Sequence, residues 1–168
     1  DQYNWGYMPN NFFSPDGWYA SNIRDGSRVR ETKEMIQAFH RAGIRVILDV
    51  VFNHTSPMAS FEAVAPRYYH RRKDDGSFWN GSGCGNEFRP EAPMARKLII
   101  DACRYWVEEY GVDGFRFDLM GLIDLDTMKA VRNELVQIDE NILVYGEPWT
   151  ATPPEEAGIK RVTSKFMI

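Results

Sequence analysis

Two short runs of this chain carry the residue types for acid–base chemistry. Gly114-Phe115-Arg116-Phe117-Asp118 closes on a carboxylate, and Tyr145-Gly146-Glu147-Pro148-Trp149 holds one at its centre. Each follows a helix-like stretch. Two carboxylates at the ends of successive parallel strands point into one site. One of them held ionised and the other held protonated is the equipment for breaking a glycosidic bond.

Side chains alternate along a strand, so Arg116 and Asp118 share one face and Phe115 and Phe117 take the other. The guanidinium stabilises an ionised Asp118, as a nucleophile requires. The same pair also fits a structural tie between strands. Glu147 stands between Gly146, which leaves room for close approach, and Pro148-Trp149. A carboxyl beside an apolar indole loses solvation in its charged form, which suits a general acid; an ordinary strand-end Glu bonded to backbone fits too. A retaining glycosidase keeps its two carboxyl groups roughly 5 Å apart. Neighbouring strands about 4.8 Å apart supply that separation.

Asp49-Val50-Val51-Phe52-Asn53-His54 ends an earlier apolar run. His54 is placed to donate to a substrate hydroxyl, and Asp49 to support the charge network; a structural or solvated His54 is the plainer alternative. Asn53 has a ligating oxygen, but the local pattern is no calcium loop. A Gly-rich phosphate loop, a Gly-x-Ser-x-Gly elbow and zinc-spaced His or Cys are all missing from the sequence, which disfavours nucleotide enzymes, α/β-hydrolases and zinc sites.

The elements that must hold these residues follow from periodicity. Residues 1–24 read as loop. Residues 25–42 read as a helix with Val29, Met35, Ile36 and Phe39 as its apolar stripe, ended by Gly43. Ile44 to Val51 reads as a buried strand. Residues 52–91 form a connection long enough to be functional or a small subdomain. Pro93 opens a helix running to Tyr110, with Met94, Leu98, Ile99, Ala102, Cys103 and Trp106 inward and Gly111 as its stop. Val112 to Asp118 is the next strand. Residues 125–138 form a helix with Met128, Val131, Leu135 and Ile138 inward, and Ile142 to Glu147 is a third strand. This alternation implies an α/β fold with parallel crossovers. Three strands do not choose between an open sheet and a barrel.

The whole-chain properties exclude more than they assign. The 168 residues suffice for one domain with a real core. A net charge of −4 gives no electrostatic argument for nucleic acid or an anionic membrane, and neither is expected as partner. No apolar run is long enough to cross a bilayer. Cys84 and Cys103 are too few for a disulfide framework, and Cys103 reads as a buried free thiol. Five tryptophans and eight tyrosines are many for this length. Most must fill core, and the remainder could offer flat faces to sugar rings. The start at Asp1 and the stop at Ile168 read as the bounds of a segment cut from something longer, which leaves the compartment open.

These motifs together resemble the α-amylase superfamily of glycoside hydrolases, and within it the type I pullulanases. Asp49 to His54 resembles the superfamily's first shared motif, Gly114 to Asp118 its second and Tyr145 to Trp149 its third, in matching order. Tyr3-Asn4-Trp5-Gly6-Tyr7 resembles the pullulanase hallmark. Asn80 to Asn86 and Asp118-Leu119-Met120-Gly121 fit that subgroup and its isoamylase-like relatives.

The resemblance implies a partial (β/α)8 TIM barrel, about strands 3 to 5 with the loop after strand 2. Residues 1–168 would be one stretch of a single catalytic barrel, with 52–91 as a long inserted loop. It implies retaining hydrolysis of α-1,6 linkages in pullulan, amylopectin or limit dextrins. Asp118 would be the nucleophile, Glu147 the general acid/base, and Arg116 the group holding Asp118 ionised. His54 would bind the sugar at the cleavage point, Tyr7 would stack on it, and Asn53, Trp149 and Asp49 would share the pocket. No cofactor is required, no metal ligand is assigned, and calcium is left open. The partner implied is an α-glucan. Departures are Met8, where many relatives carry Asp, and Phe52, where Tyr is commoner. The superfamily's third acidic residue, beside a His in a fourth motif, has no counterpart, since no His-Asp pair occurs. The isolated chain is therefore expected to be weakly active or inactive. An isoamylase, a glycogen-debranching enzyme and a non-catalytic glucan-binding relative are the rival readings.

Overall fold

The computed structural model describes residues 5–153 and Arg161. Tyr3 and Asn4 of the Tyr3–Tyr7 run, and most residues beyond 153, lie outside the described residues. Three parallel strands, β1 (Ile47–Val50), β2 (Gly114–Phe117) and β3 (Leu143–Gly146), form a sheet in the order β1-β2-β3. Helix α3 (Pro93–Tyr110) crosses from β1 to β2 after the long connection, and α4 (Leu125–Ile138) crosses from β2 to β3. Helix α1 (Ser27–Arg41) precedes β1. The register aligns Asp49, Arg116 and Tyr145 in one row across the sheet. Side-chain alternation then puts that row and the next one, Asp118 and Glu147, on the same face.

The opposite face carries the core. Phe115 and Phe117 are fully buried against Ile99, Ala102, Cys103 and Trp106 of α3 and Met128, Val131 and Leu135 of α4. Proline at the first turn of α3 costs no hydrogen bond, and Gly111 at φ 72° supplies the left-handed cap. Asp124 caps α4 by accepting from the Thr127 N–H at 2.9 Å. Cys84 and Cys103 are both free thiols, with Cys103 buried as expected.

The strands are shorter than the apolar runs that announce them, because pairing ends where the chain turns into the connections. A larger correction concerns α1. Of its expected stripe only Ile36 is buried, while Val29, Met35 and Phe39 are exposed. Helix α1 packs on α3 and on the turn at Gly17–Tyr19, and most of its apolar side stays exposed among the described residues. Met94 and Ile138 are also exposed rather than inward, each standing at a helix end beyond the packed turns.

The connection at 52–91 is a small packed unit. It holds the short helix α2 (Phe61–Val64) and two antiparallel bridges, His70 to Phe88 and Arg72 to Phe78. Phe12, Phe61, Tyr69 and Phe88 build its aromatic centre, with ring centroids 5.1 to 5.7 Å apart for the Phe12–Phe61, Phe61–Tyr69 and Phe61–Phe88 pairs. Beneath it Glu87, fully buried, pairs with Arg71 and with Arg161. Arg71 also binds Glu91 at 2.7 Å.

Candidate active site

The carboxyl-terminal ends of the three strands converge on one guanidinium. Arg116 Nη1 donates to Asp49 Oδ1 at 2.8 Å and to Asp118 Oδ1 at 3.0 Å. Its Nη2 lies 2.5 Å from Glu147 Oε1. The three carboxylates come from the ends of β1, β2 and β3, so parallel pairing alone brings them together. Arg116 spans them because its planar fork presents several donors at fixed angles. Burial opposes its charge, but the hydrogen bonds to Asp49 and Asp118 and the charges of Asp49 and Glu147 prevail. Its pKa therefore lies above the ordinary arginine value.

Both oxygens of Asp118 are occupied. Arg116 holds Oδ1, and Asn53 Nδ2 donates to Oδ2 at 3.0 Å and to the Asp118 carbonyl at 2.8 Å. Asn53 Oδ1 meets His54 Nδ1 at 2.5 Å. Asn53 is thus engaged at both ends of its amide. Among the described residues no group of three or more His, Cys, Asp or Glu could hold a metal ion.

His54 is buried, and its Nε2 lies 2.8 Å from the Tyr7 carbonyl. A hydrogen bond from His54 to a sugar would have to replace that contact. Burial holds its pKa below the usual imidazole range, against the opposing pulls of the Tyr7 carbonyl and the Asp118 charge. The Tyr7 hydroxyl donates to Asp49 Oδ2 at 2.8 Å, and this bond, with burial second, raises the phenol pKa. Asp49, through Arg116 and Tyr7, and His54, through Asn53 and Tyr7, tie the amino-terminal loop to the strand ends.

Glu147 differs from its expected setting. Its carboxylate rests on Arg116 and accepts from the Leu119 N–H at 3.0 Å, rather than facing an apolar indole. Trp149 is 56% exposed. The reason is geometric: Arg116, two residues and one same-face row short of Asp118, reaches the neighbouring strand end as well as its own. Gly146 provides the expected close approach, since a Cβ there would meet the Phe117 carbonyl at 2.4 Å. Two groups escaped the residue-type reading. The Leu119 N–H is a backbone donor that no side-chain pattern announces. Tyr145, half exposed in the Asp49–Arg116 row, reads in sequence as strand filler.

A cavity of about 520 Å³ lies elsewhere, between α1, the amino-terminal loop and the free edge of β1, lined by Phe12, Met35, Leu48, Val50 and Trp106 among others. It meets the charged cluster only at Asp49 and holds neither Asp118 nor Glu147.

Known proteins are similar to this chain in sequence and fold. The α-amylase catalytic-domain family model matches residues 27–92. Pullulanase of Bacillus subtilis (strain 168) is 47% identical over 157 residues, covering 92% of this chain and 22% of that protein. Isoamylase SU1 of Zea mays is 44% identical over 128 residues, covering 71% of this chain and 16% of that protein. The structure of pullulanase from Paenibacillus barengoltzii, in complex with maltohexaose and α-cyclodextrin, superposes with a TM-score of 0.90 at 44% identity, covering 98% of this chain and 26% of that one. The chain thus spans about a fifth of the length of the relatives it matches, and its sheet is an arc of their (β/α)8 barrel. The chain belongs to the α-amylase family of glycoside hydrolases, alongside the pullulanases, and forms part of their catalytic barrel.

Proposed function

We propose that these residues serve a retaining glycosidase that cleaves α-1,6 branch linkages in pullulan, amylopectin or limit dextrins. The supporting observation is the single Arg116 guanidinium shared by Asp49, Asp118 and Glu147 at three adjacent strand ends. Asp118, with both oxygens held, attacks the anomeric carbon. Glu147 gives its proton to the leaving oxygen, and later takes one from the water that releases the sugar. Arg116 and Asn53 hold the two Asp118 oxygens and aim the carboxylate. Tyr7 and Trp149 offer aromatic faces to the sugar, His54 fixes the Tyr7 loop, and Asp49 anchors both Tyr7 and Arg116. The connection at 52–91 belongs to the same catalytic barrel as residues 1–168 as a whole. The glucan bound to the Paenibacillus relative supports this substrate class.

The test uses a complete barrel carrying these residues. Release of reducing sugar from pullulan is expected, with Asp118→Asn lowering kcat on the order of 10⁴-fold. Glu147→Gln is expected to cost on the order of 10²- to 10⁴-fold. Near-normal turnover in either variant would overturn the roles. The likeness to Isoamylase SU1 favours a second reading, an isoamylase-type debranching enzyme. Preference for glycogen over pullulan would select it.

A further inference from the structure

The turn after Asp118 has no part in the chemistry above, yet it grips Glu147 at two points. Leu119 adopts φ 42°, ψ 48°, a left-handed conformation that a residue with a branched side chain rarely takes. That conformation aims the Leu119 N–H at Glu147 Oε2, 3.0 Å away. Two residues on, the Gly121 N–H donates to the Glu147 carbonyl, also at 3.0 Å. A Cβ on Gly121 would lie 2.5 Å from the Trp149 carbonyl oxygen and 2.9 Å from its Cα. Those are backbone atoms, which cannot swing aside as a side chain can. The far end of the turn is held as well, because the buried Arg71 Nη1 donates to the Leu122 carbonyl at 3.0 Å.

We propose that the Leu119–Gly121 turn is a positioning device for Glu147. The carboxylate is fixed from two sides: Arg116 of β2 holds Oε1, and the backbone directly after Asp118 holds Oε2. Gly121 sets how closely the end of β3 approaches that turn. The separation of Asp118 from Glu147 is thereby governed by a three-residue stretch covalently attached to Asp118. This inference rests on the assignment of Glu147 as acid/base. A misplacement of about 1 Å at such a group costs on the order of 10²-fold in rate.

The experiment compares two substrates in a complete barrel carrying this segment. Pullulan needs a proton on its leaving oxygen. α-Maltotriosyl fluoride does not, since the C–F bond breaks to release fluoride ion, so first-turnover fluoride release bypasses the acid. Gly121→Ala is expected to lower kcat on pullulan on the order of 10²-fold, with KM and first-turnover fluoride release within about threefold. Leu119→Gly keeps both the N–H and the left-handed backbone, and is expected to retain pullulan turnover within about threefold. Leu119→Val, whose β-branch opposes positive φ, is expected to lose turnover as Gly121→Ala does. Equal loss on both substrates in Gly121→Ala overturns the proposal. Should thermal melts show that variant unfolded, a Leu119→Gly as impaired as Leu119→Val overturns it instead. An unaltered barrel that cleaves neither substrate defeats the underlying glycosidase reading, and the proposal with it.

Discussion

Arg116 Nη2 stands 2.5 Å from Glu147 Oε1 while Nη1 of the same guanidinium holds Asp118. One planar cation thus couples both carboxylates that the proposed reaction needs. A lysine would carry the charge but not the fork. Arg116→Lys is therefore expected to lower kcat on the order of 10²-fold with little change in KM. Steady-state kinetics on pullulan checks this, and a kcat near that of the unaltered protein would show that charge alone suffices.

Glu87 is completely buried and accepts from Arg71, Arg161 and the Gly81 N–H. The Gly81 carbonyl in turn accepts from Ala151 and Thr152, beyond β3. Removing one partner of a buried pair leaves an uncompensated charge, at a cost of about 3–5 kcal/mol. Glu87→Ala should lose stability of that order in denaturant unfolding of a complete barrel. A loss under about 1 kcal/mol would mean water replaces the carboxylate freely.

His54 and His70 are both held below the ordinary imidazole pKa, in each case chiefly by burial. A folded pKa below the unfolded one means that the unfolded chain binds more protons in between. Stability is then complete above the unfolded value, near 6.5, and is lost as pH falls through it toward the folded value. Unfolding free energies measured between pH 5 and 8 should rise with pH. His54→Gln should flatten part of that slope, and an unchanged slope would contradict the burial argument.

The framework was legible because periodicity and punctuation agree. Pro93, Gly111 and the 125–138 pattern mark α3 and α4 to the residue, and the Phe115–Phe117 alternation fixes which face is core. Parallel pairing then delivers Asp49, Arg116, Asp118 and Glu147 to one edge without further information. Two things were not legible. The stripe of α1 reads as core, but a stripe reports apolarity and not which neighbour covers it. The setting of Glu147 depends on how far the Arg116 side chain reaches and on a backbone N–H at Leu119. Neither follows from residue type or spacing, so Arg116 reads in sequence as a partner of Asp118 alone and Trp149 as the neighbour of Glu147.

The central claim is that Asp118 forms a covalent bond to the sugar. The most direct measurement is mass spectrometry of a complete barrel after reaction with a 5-fluoro-α-glycosyl fluoride, which forms the glycosyl ester as fluoride leaves and slows its hydrolysis. The account predicts the added sugar on the peptide containing Gly114 to Asp118, located at Asp118. A label on Glu147, or steady hydrolysis of pullulan with no label trapped on either residue, would contradict it.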